Sequence, residues 1–200
     1  MTTSSLSSTA TAPVWRPALV LAGVSLLGFG LLYSLAGAGL GSLLFPHQAG
    51  GSLIERDGKV IGSSLVAQPF ADDRYFQSRP SAAKYDVMAL AGSNQARTNP
   101  DLRSRIDEAR TAVATREGVA PDAVPSDLVT QSGGGIDPHL SPEAIRIQIA
   151  RVARARGLPV DEVERLVAAH TEGKQFGLLG APRINVLELN LALDKARKPE

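Results

Sequence analysis

The chain has 200 residues, 21 Lys and Arg against 20 Asp and Glu, a net charge of +1, 4% aromatics and no cysteine. That balance offers no basic footprint for nucleic acid, and without thiols there are neither disulfides nor thiolate metal sites. The shortage of aromatics argues against base-stacking or sugar-binding platforms, and the length suits one domain with an accessory segment.

The accessory segment comes first. Residues 18–45, 28 in a row, carry no charge, whereas a membrane span needs about 20 predominantly apolar residues. The expected layout is a tail over 1–16, a transmembrane helix over 17–40, a linker over 41–52 and a soluble domain over 53–200. Trp15 and Arg16 open the span as an interfacial aromatic and a headgroup-level cation. Ala36-Gly37-Ala38 resembles a signal-peptide cleavage site, but a signal's apolar core runs about 7–15 residues. Ala18 to Leu35 already exceeds that, so the segment is read as an uncleaved anchor. Gly30, Ser34 and Ala38 recur every four residues, and Gly37 and Gly41 form a GxxxG pair. Small residues at this spacing let a partner helix approach closely. Arg16 precedes the span and no charge follows until Glu55, so the positive-inside rule favours a soluble domain outside the cytoplasm.

The remainder reads as a mixed α+β domain. "SLIERDGKVIGSSLV" predicts two strands around the Asp57-Gly58 hairpin turn. "ADDRYFQSRPSAAKYD" predicts a short helix and then an extended segment, followed by a loop of turn formers. Asn99-Pro100-Asp101 supplies an N-cap, a first-turn proline and a dipole-matched acid. The helix behind it has Leu102, Ile106, Ala109 and Val113 in one apolar stripe, with Asp101–Arg105 and Arg103–Asp107 expected as surface pairs, and ends at Gly118.

"DLVTQSGGGIDPHLSPEAI" comes next. A β-prone run enters three glycines and leaves through a helix start at Ser141-Pro142, the strand, glycine turn, helix order of phosphate-binding loops. Ser132, Gly133, Gly134 and Gly135 are therefore the candidate nucleotide loop. Against it, the nearest downstream cation is Arg146, and Asp137 and Glu143 place negative charge near the helix start. The glycines need no ligand either, since they permit positive φ and close backbone packing. A structural turn, with Gly134 taken as a position needing positive φ, is the preferred reading.

A helical hairpin follows, with Ile145, Ile149 and Val152 inward before Gly157 and with Val163, Leu166 and Val167 inward after Pro159. Arg146, Arg151, Arg154 and Arg156 on its first arm are either matched to the helix C-terminus or a basic strip for a partner. The tail "APRINVLELNLALDKARK" alternates like a strand, yet Asn185 would cap a helix, and the helix is preferred. Conventional chemistry is missing from the sequence. His47, His139 and His170 lack metal-ligand spacing, and no GxSxG or GxxxxGK[ST] occurs.

In order, "YFQSRPSAAKYD", "NPDL", "VPSDLVTQSGGGIDPHLSPEAI", "QIARVARARGLP" and "LGAPRINVLELNLALD" resemble the signature blocks of the C subunit of the Kdp potassium-transporting ATPase. The resemblance runs from about Ala18 onward. Two blocks depart from the pattern: "LAGSNQARTNP" is less glycine-rich than usual, and Ser132–Gly135 replaces Ser-Gly-Ser-Gly. The resemblance implies a non-catalytic subunit of an ATP-driven potassium importer in the bacterial cytoplasmic membrane. It implies as partners a channel-like subunit and a P-type ATPase subunit, besides lipid. The chain has no TVGYG filter or DKTGT motif of its own. The family role implied is assembly, or a catalytic chaperone raising ATP affinity. No cofactor is expected to stay bound, and ATP is the only ligand implied. The alternative is an independent membrane-anchored nucleotide-binding or hydrolytic domain.

Overall fold

The computed structural model describes residues 13–196, which divide into two compact units at Gly51/Ser52. The first unit is one long helix with a short addition. Helix α1 (Trp15–Val24) runs into a π-helical stretch, Ser25–Tyr33, and on into α2 (Ser34–Leu44). Together they form 30 helical residues, Trp15–Leu44, whose most apolar stretch has a mean hydropathy of 2.1 and no buried residue, long and apolar enough to cross a membrane. At about 1.5 Å per residue the helix outreaches a hydrocarbon core of about 30 Å, and it extends beyond 17–40 at both ends. The Arg16 guanidinium stacks on Trp15 at 5.3 Å from the ring centroid. Phe45, at φ −136°, breaks the helix ahead of Pro46, and a single turn, α3 (Pro46–Ala49), precedes the second unit.

The second unit opens on an antiparallel hairpin, β1 (Leu53–Arg56) and β2 (Lys59–Ser63). Asp57 and Gly58 at its tip have φ 51° and 73°, the positive pair that a right-twisted two-residue turn demands. The helix expected near Asp72 does not form. The Asp72 carboxylate captures the Arg74 amide at 2.9 Å and its guanidinium at 2.7 Å, a local bond that competes with helix. Side-chain amides then satisfy the extended backbone downstream. Asn190 accepts from Phe76 N and donates to Phe76 O, both at 2.9 Å, and Gln148 accepts from Gln77 N at 2.8 Å.

Helix α4 (Pro100–Glu117) starts and stops as expected. Asn99 accepts from Asp101 N at 2.8 Å, and Gly118 ends the helix in the left-handed region at φ 69°. The expected surface pairs are replaced: Asp107 pairs with Arg110, while Arg105 reaches Ser93 and Arg103 reaches the Arg97 carbonyl. Two 3-10 turns follow, Pro121–Ala123 and Ser126–Leu128. No strand forms ahead of the glycines. Ser126 O instead gathers Val129 N, Thr130 N and Thr130 Oγ1, winding the chain so that Leu128 and Val129 are buried.

Strand β3 (His139–Leu140) leads into α5 (Pro142–Arg146), α6 (Ile149–Arg156) and α7 (Val160–Ala169). Strands β4 (Thr171–Glu172) and β5 (Arg183–Asn185) follow, and α8 (Val186–Ala196) takes the tail as a helix. The sheet order is β3-β5-β4, all antiparallel. Asn185 Oδ1 caps α8 from β5, accepting from Glu188 N at 3.2 Å. Phe76, Ile145, Val152, Val163, Ile184, Leu189 and Leu193 form the fully buried centre of the core, so the fold is α+β behind one apolar helix.

Candidate functional site

The glycine turn works against another piece of backbone. Gly135 has φ 75°, and a Cβ there would stand 2.9 Å from Ala83 Cβ and 2.9 Å from Ala91 O. Gly92 faces Gly133, whose carbonyl oxygen would lie 2.7 Å from an added Cβ. Ser81 Oγ donates to Gly135 O, and Ala67 N donates to Ile136 O at 2.8 Å. Ser132–Gly135 is thus a cradle for residues 81–92. Gly134 corrects the sequence expectation: it is not among the positive-φ residues, and an added methyl meets nothing within 4 Å. The constrained glycine is Gly135.

The helix after the cradle has little to offer a phosphate. Helix α5 is five residues long, Ser141 Oγ accepts from Ala144 N at 3.1 Å, and Asp127 accepts from Ser141 N at 2.7 Å. The cation absent from the local sequence does arrive through the fold. Arg79, more than fifty residues upstream, donates to Asp137 at 3.0 Å and to the Thr130 carbonyl at 3.4 Å. Its guanidinium is therefore committed to neighbours of the turn.

Asp137 joins this cluster to β3. It accepts from His139 N at 3.0 Å and lies 3.3 Å from His139 Nδ1. These bonds from His139, with the Arg79 charge, outweigh burial and lower its pKa from 3.8 to about 2. A depressed carboxylate stabilises the fold at pH above its unfolded value, and the contribution fades as pH falls from about 4 through 2. The side chain is 36% exposed, so solvent screens the effect. Asp137→Asn should melt below wild type at pH 6, with the gap closing towards pH 2.5. A gap that stays constant across thermal melts over this range would assign the effect to geometry rather than charge.

The core also holds a buried ion pair. Arg151 Nε donates to Glu117 at 2.9 Å with side chains 3% and 0% exposed. The same guanidinium binds the Asp73 carbonyl at 2.6 Å, the Tyr75 carbonyl at 3.0 Å and Gln148 Oε1 at 2.9 Å. Arg116 approaches Glu117 at 2.6 Å and also bonds Gln77. Arg156 pairs with Asp194 at 2.9 Å and lies over Tyr75. The four expected arginines of a basic strip are thus split: Arg146 and Arg154 are exposed, whereas Arg151 and Arg156 turn to internal partners. Charge alone gave no sign of this, because Glu117 is 34 positions away from Arg151.

Among the described residues no three His, Cys, Asp or Glu come together as a metal group. His170 bonds the Leu166 carbonyl at 2.8 Å through Nδ1, and His47 sits on α3 in the other unit. An apolar groove of about 650 Å³ is lined by Ile54, Leu166, His170, Glu188, Leu191 and Lys195, remote in its lining from the glycines. On the long helix, Gly37 and Gly41 have open space where a Cβ would be, and Gly30 meets only Ser25 O at 3.8 Å. Ser34 and Ala38 are exposed on the same helix.

Comparison with known proteins adds to this geometry. The family model described as K+-transporting ATPase, c chain (KdpC), matches residues 15–195. A protein of Xanthomonas campestris named potassium-transporting ATPase KdpC subunit is 64% identical over 181 residues, 90% of this chain and 87% of that protein. Proteins of the same name from Methylococcus capsulatus and Sorangium cellulosum are 52% and 53% identical over 92% and 91% of this chain, and 98% and 97% of their own lengths.

Proposed function

This chain belongs to the K+-transporting ATPase c chain family, and from that premise we propose that it is the non-catalytic accessory subunit of an ATP-driven potassium importer. The observation that carries the reading is a match along residues 15–195, through the apolar helix and the folded domain alike. The helix anchors the chain in a bacterial cytoplasmic membrane and packs on a partner through Gly30, Ser34, Gly37, Ala38 and Gly41. The partners are a channel-like translocating subunit and a P-type ATPase subunit, which the domain assembles and stabilises.

The soluble domain lies outside the cytoplasm, a reading supported by Arg16 ahead of the helix and by the uncharged residues behind it. Cytosolic ATP then has no route to it. Any effect on ATP affinity travels through subunit contacts rather than through Ser132–Gly135, where Gly133 and Gly135 pack tightly on residues 81–92 and the Gly135 carbonyl accepts from Ser81.

Two experiments test the reading. The chain has no cysteine, and Ala112 is exposed in the middle of α4. Ala112→Cys should react with a membrane-impermeant maleimide in intact cells; labelling only after lysis would reverse the orientation. Tagged full-length protein should bring both partner subunits through detergent, and Gly37→Leu with Gly41→Leu should lose them while still inserting. Purification of the wild type alone, or of a form cut after Ala38, would end the proposal.

A further inference from the structure

The loop between β4 and β5 exposes an apolar tip on an ordered frame. Gln175 N donates to Leu179 O and Leu179 N donates to Gln175 O, both at 2.9 Å. This closes Phe176, Gly177 and Leu178 into a tight turn, in which Phe176 takes φ 55° and Gly177 φ 75°. A bulky residue in the left-handed region is costly, and surrounding structure must hold it there. The strained backbone presents Phe176 at 84% exposure, Leu178 at 82% and Leu179 at 61%. A clustered apolar protrusion of this kind marks an interaction surface.

We infer that this tip inserts into the headgroup boundary of an anionic lipid bilayer, giving the domain a second membrane contact beside the helix. The inference rests on the membrane anchoring proposed above, not on subunit partners. Between Leu44 and Ser52 the tether is seven residues, at most about 25 Å when fully extended, and Pro46–Ala49 is coiled into a turn. A domain on so short a leash meets lipid at high effective concentration. The charges fit as well. Lys174 is the only charged residue from Gly173 to Pro182, and the flanking Arg183 is neutralised by Glu172 at 2.7 Å. An aromatic and two leucines above one lysine match the chemistry of interfacial insertion. Another exposed apolar segment, Val87, Met88 and Leu90, fits lipid worse. Asp86 lies at its start, its carboxylate accepting from Met88 N at 2.8 Å, and negative charge there opposes anionic headgroups.

The test uses the single native tryptophan, Trp15. Full-length protein carrying Trp15→Phe and Phe176→Trp is reconstituted alone into vesicles of phosphatidylethanolamine and phosphatidylglycerol with brominated acyl chains. Emission should be blue-shifted and quenched, whereas Trp15→Phe with Met88→Trp should remain unquenched. Replacing both Phe176 and Leu178 by Asp should abolish lipid contact without lowering the melting temperature, because neither side chain packs internally. Solvent-like, unquenched emission from the Phe176→Trp protein overturns the inference, as does a blue shift arising only when partner subunits are added, the mark of a protein socket. Wild-type Trp15 in the same vesicles reports the anchor. If it is quenched while the Phe176→Trp indole is not, only the loop inference fails; if it is not, the anchoring itself fails.

Discussion

Arg151→Met should be the most damaging single change in the domain, lowering stability by about 3–5 kcal/mol. The estimate follows from what remains behind. Glu117 has no exposed side-chain surface, and removing one partner of a buried pair strands the other charge. Arg116 stays near but is part exposed and shared with Gln77. The loss reaches further than one ion pair, since the Arg151 guanidinium also bonds the carbonyls of Asp73 and Tyr75. Those carbonyls lie in the irregular segment that Asn190 and Gln148 also hold. The double variant Glu117→Gln with Arg151→Met removes both charges and should recover part of the loss, whereas uncoupled sites would simply add. Denaturant unfolding of wild type, Glu117→Gln, Arg151→Met and the double variant measures this. A single Arg151→Met variant within 1 kcal/mol of wild type would show that the pair does not hold the segment.

Such a role was invisible locally. Hairpin, caps and helix stops were readable because each is written in neighbouring residues: Asp57-Gly58, Asn99-Pro100, Gly118, Ser141-Pro142 and Gly157. The apolar stripes of α4 and α7 were readable through periodicity, as was that of Ile145, Ile149 and Val152, although the single helix expected from Ser141 to Gly157 is divided into α5 and α6 by a turn at Ile147-Gln148. Arg151 looked like its exposed neighbours because a charged residue reads as solvated until its partner is known. Gln148 and Asn190 are opaque for a similar reason. They stand in for a neighbouring strand along Phe76 and Gln77, and no local pattern announces a side-chain amide used as a ladder. The missing helix near Asp72 and the missing strand before Gln131 are errors of the same origin: Asp72 and Ser126 bind nearby backbone and override propensity.

The glycines make the sharpest contrast, since three identical neighbours carry no local mark of which one is constrained. Gly135→Ala should destabilise by about 2 kcal/mol or more. A methyl at φ 75° strains the backbone by about 1 kcal/mol, and overpacking against Ala83 and Ala91 typically costs about 1–3 kcal/mol. Gly134→Ala, one residue earlier, adds a methyl to open space without a positive φ. It should be neutral, or stabilising by about 0.4–1 kcal/mol through the unfolded chain. Gly92→Ala should resemble Gly135→Ala, because it meets the Gly133 carbonyl from the other side of the same contact. A phosphate loop predicts another order. All three glycine substitutions in 133–135 would then weaken ATP binding, including those that leave stability unchanged. Thermal melts of the full-length variants, paired with ATP titration calorimetry, separate the two. A wild-type isotherm that vanishes in a still-folded Gly134→Ala protein would restore the nucleotide site, whereas loss confined to the melting of Gly135→Ala and Gly92→Ala marks a cradle built for backbone.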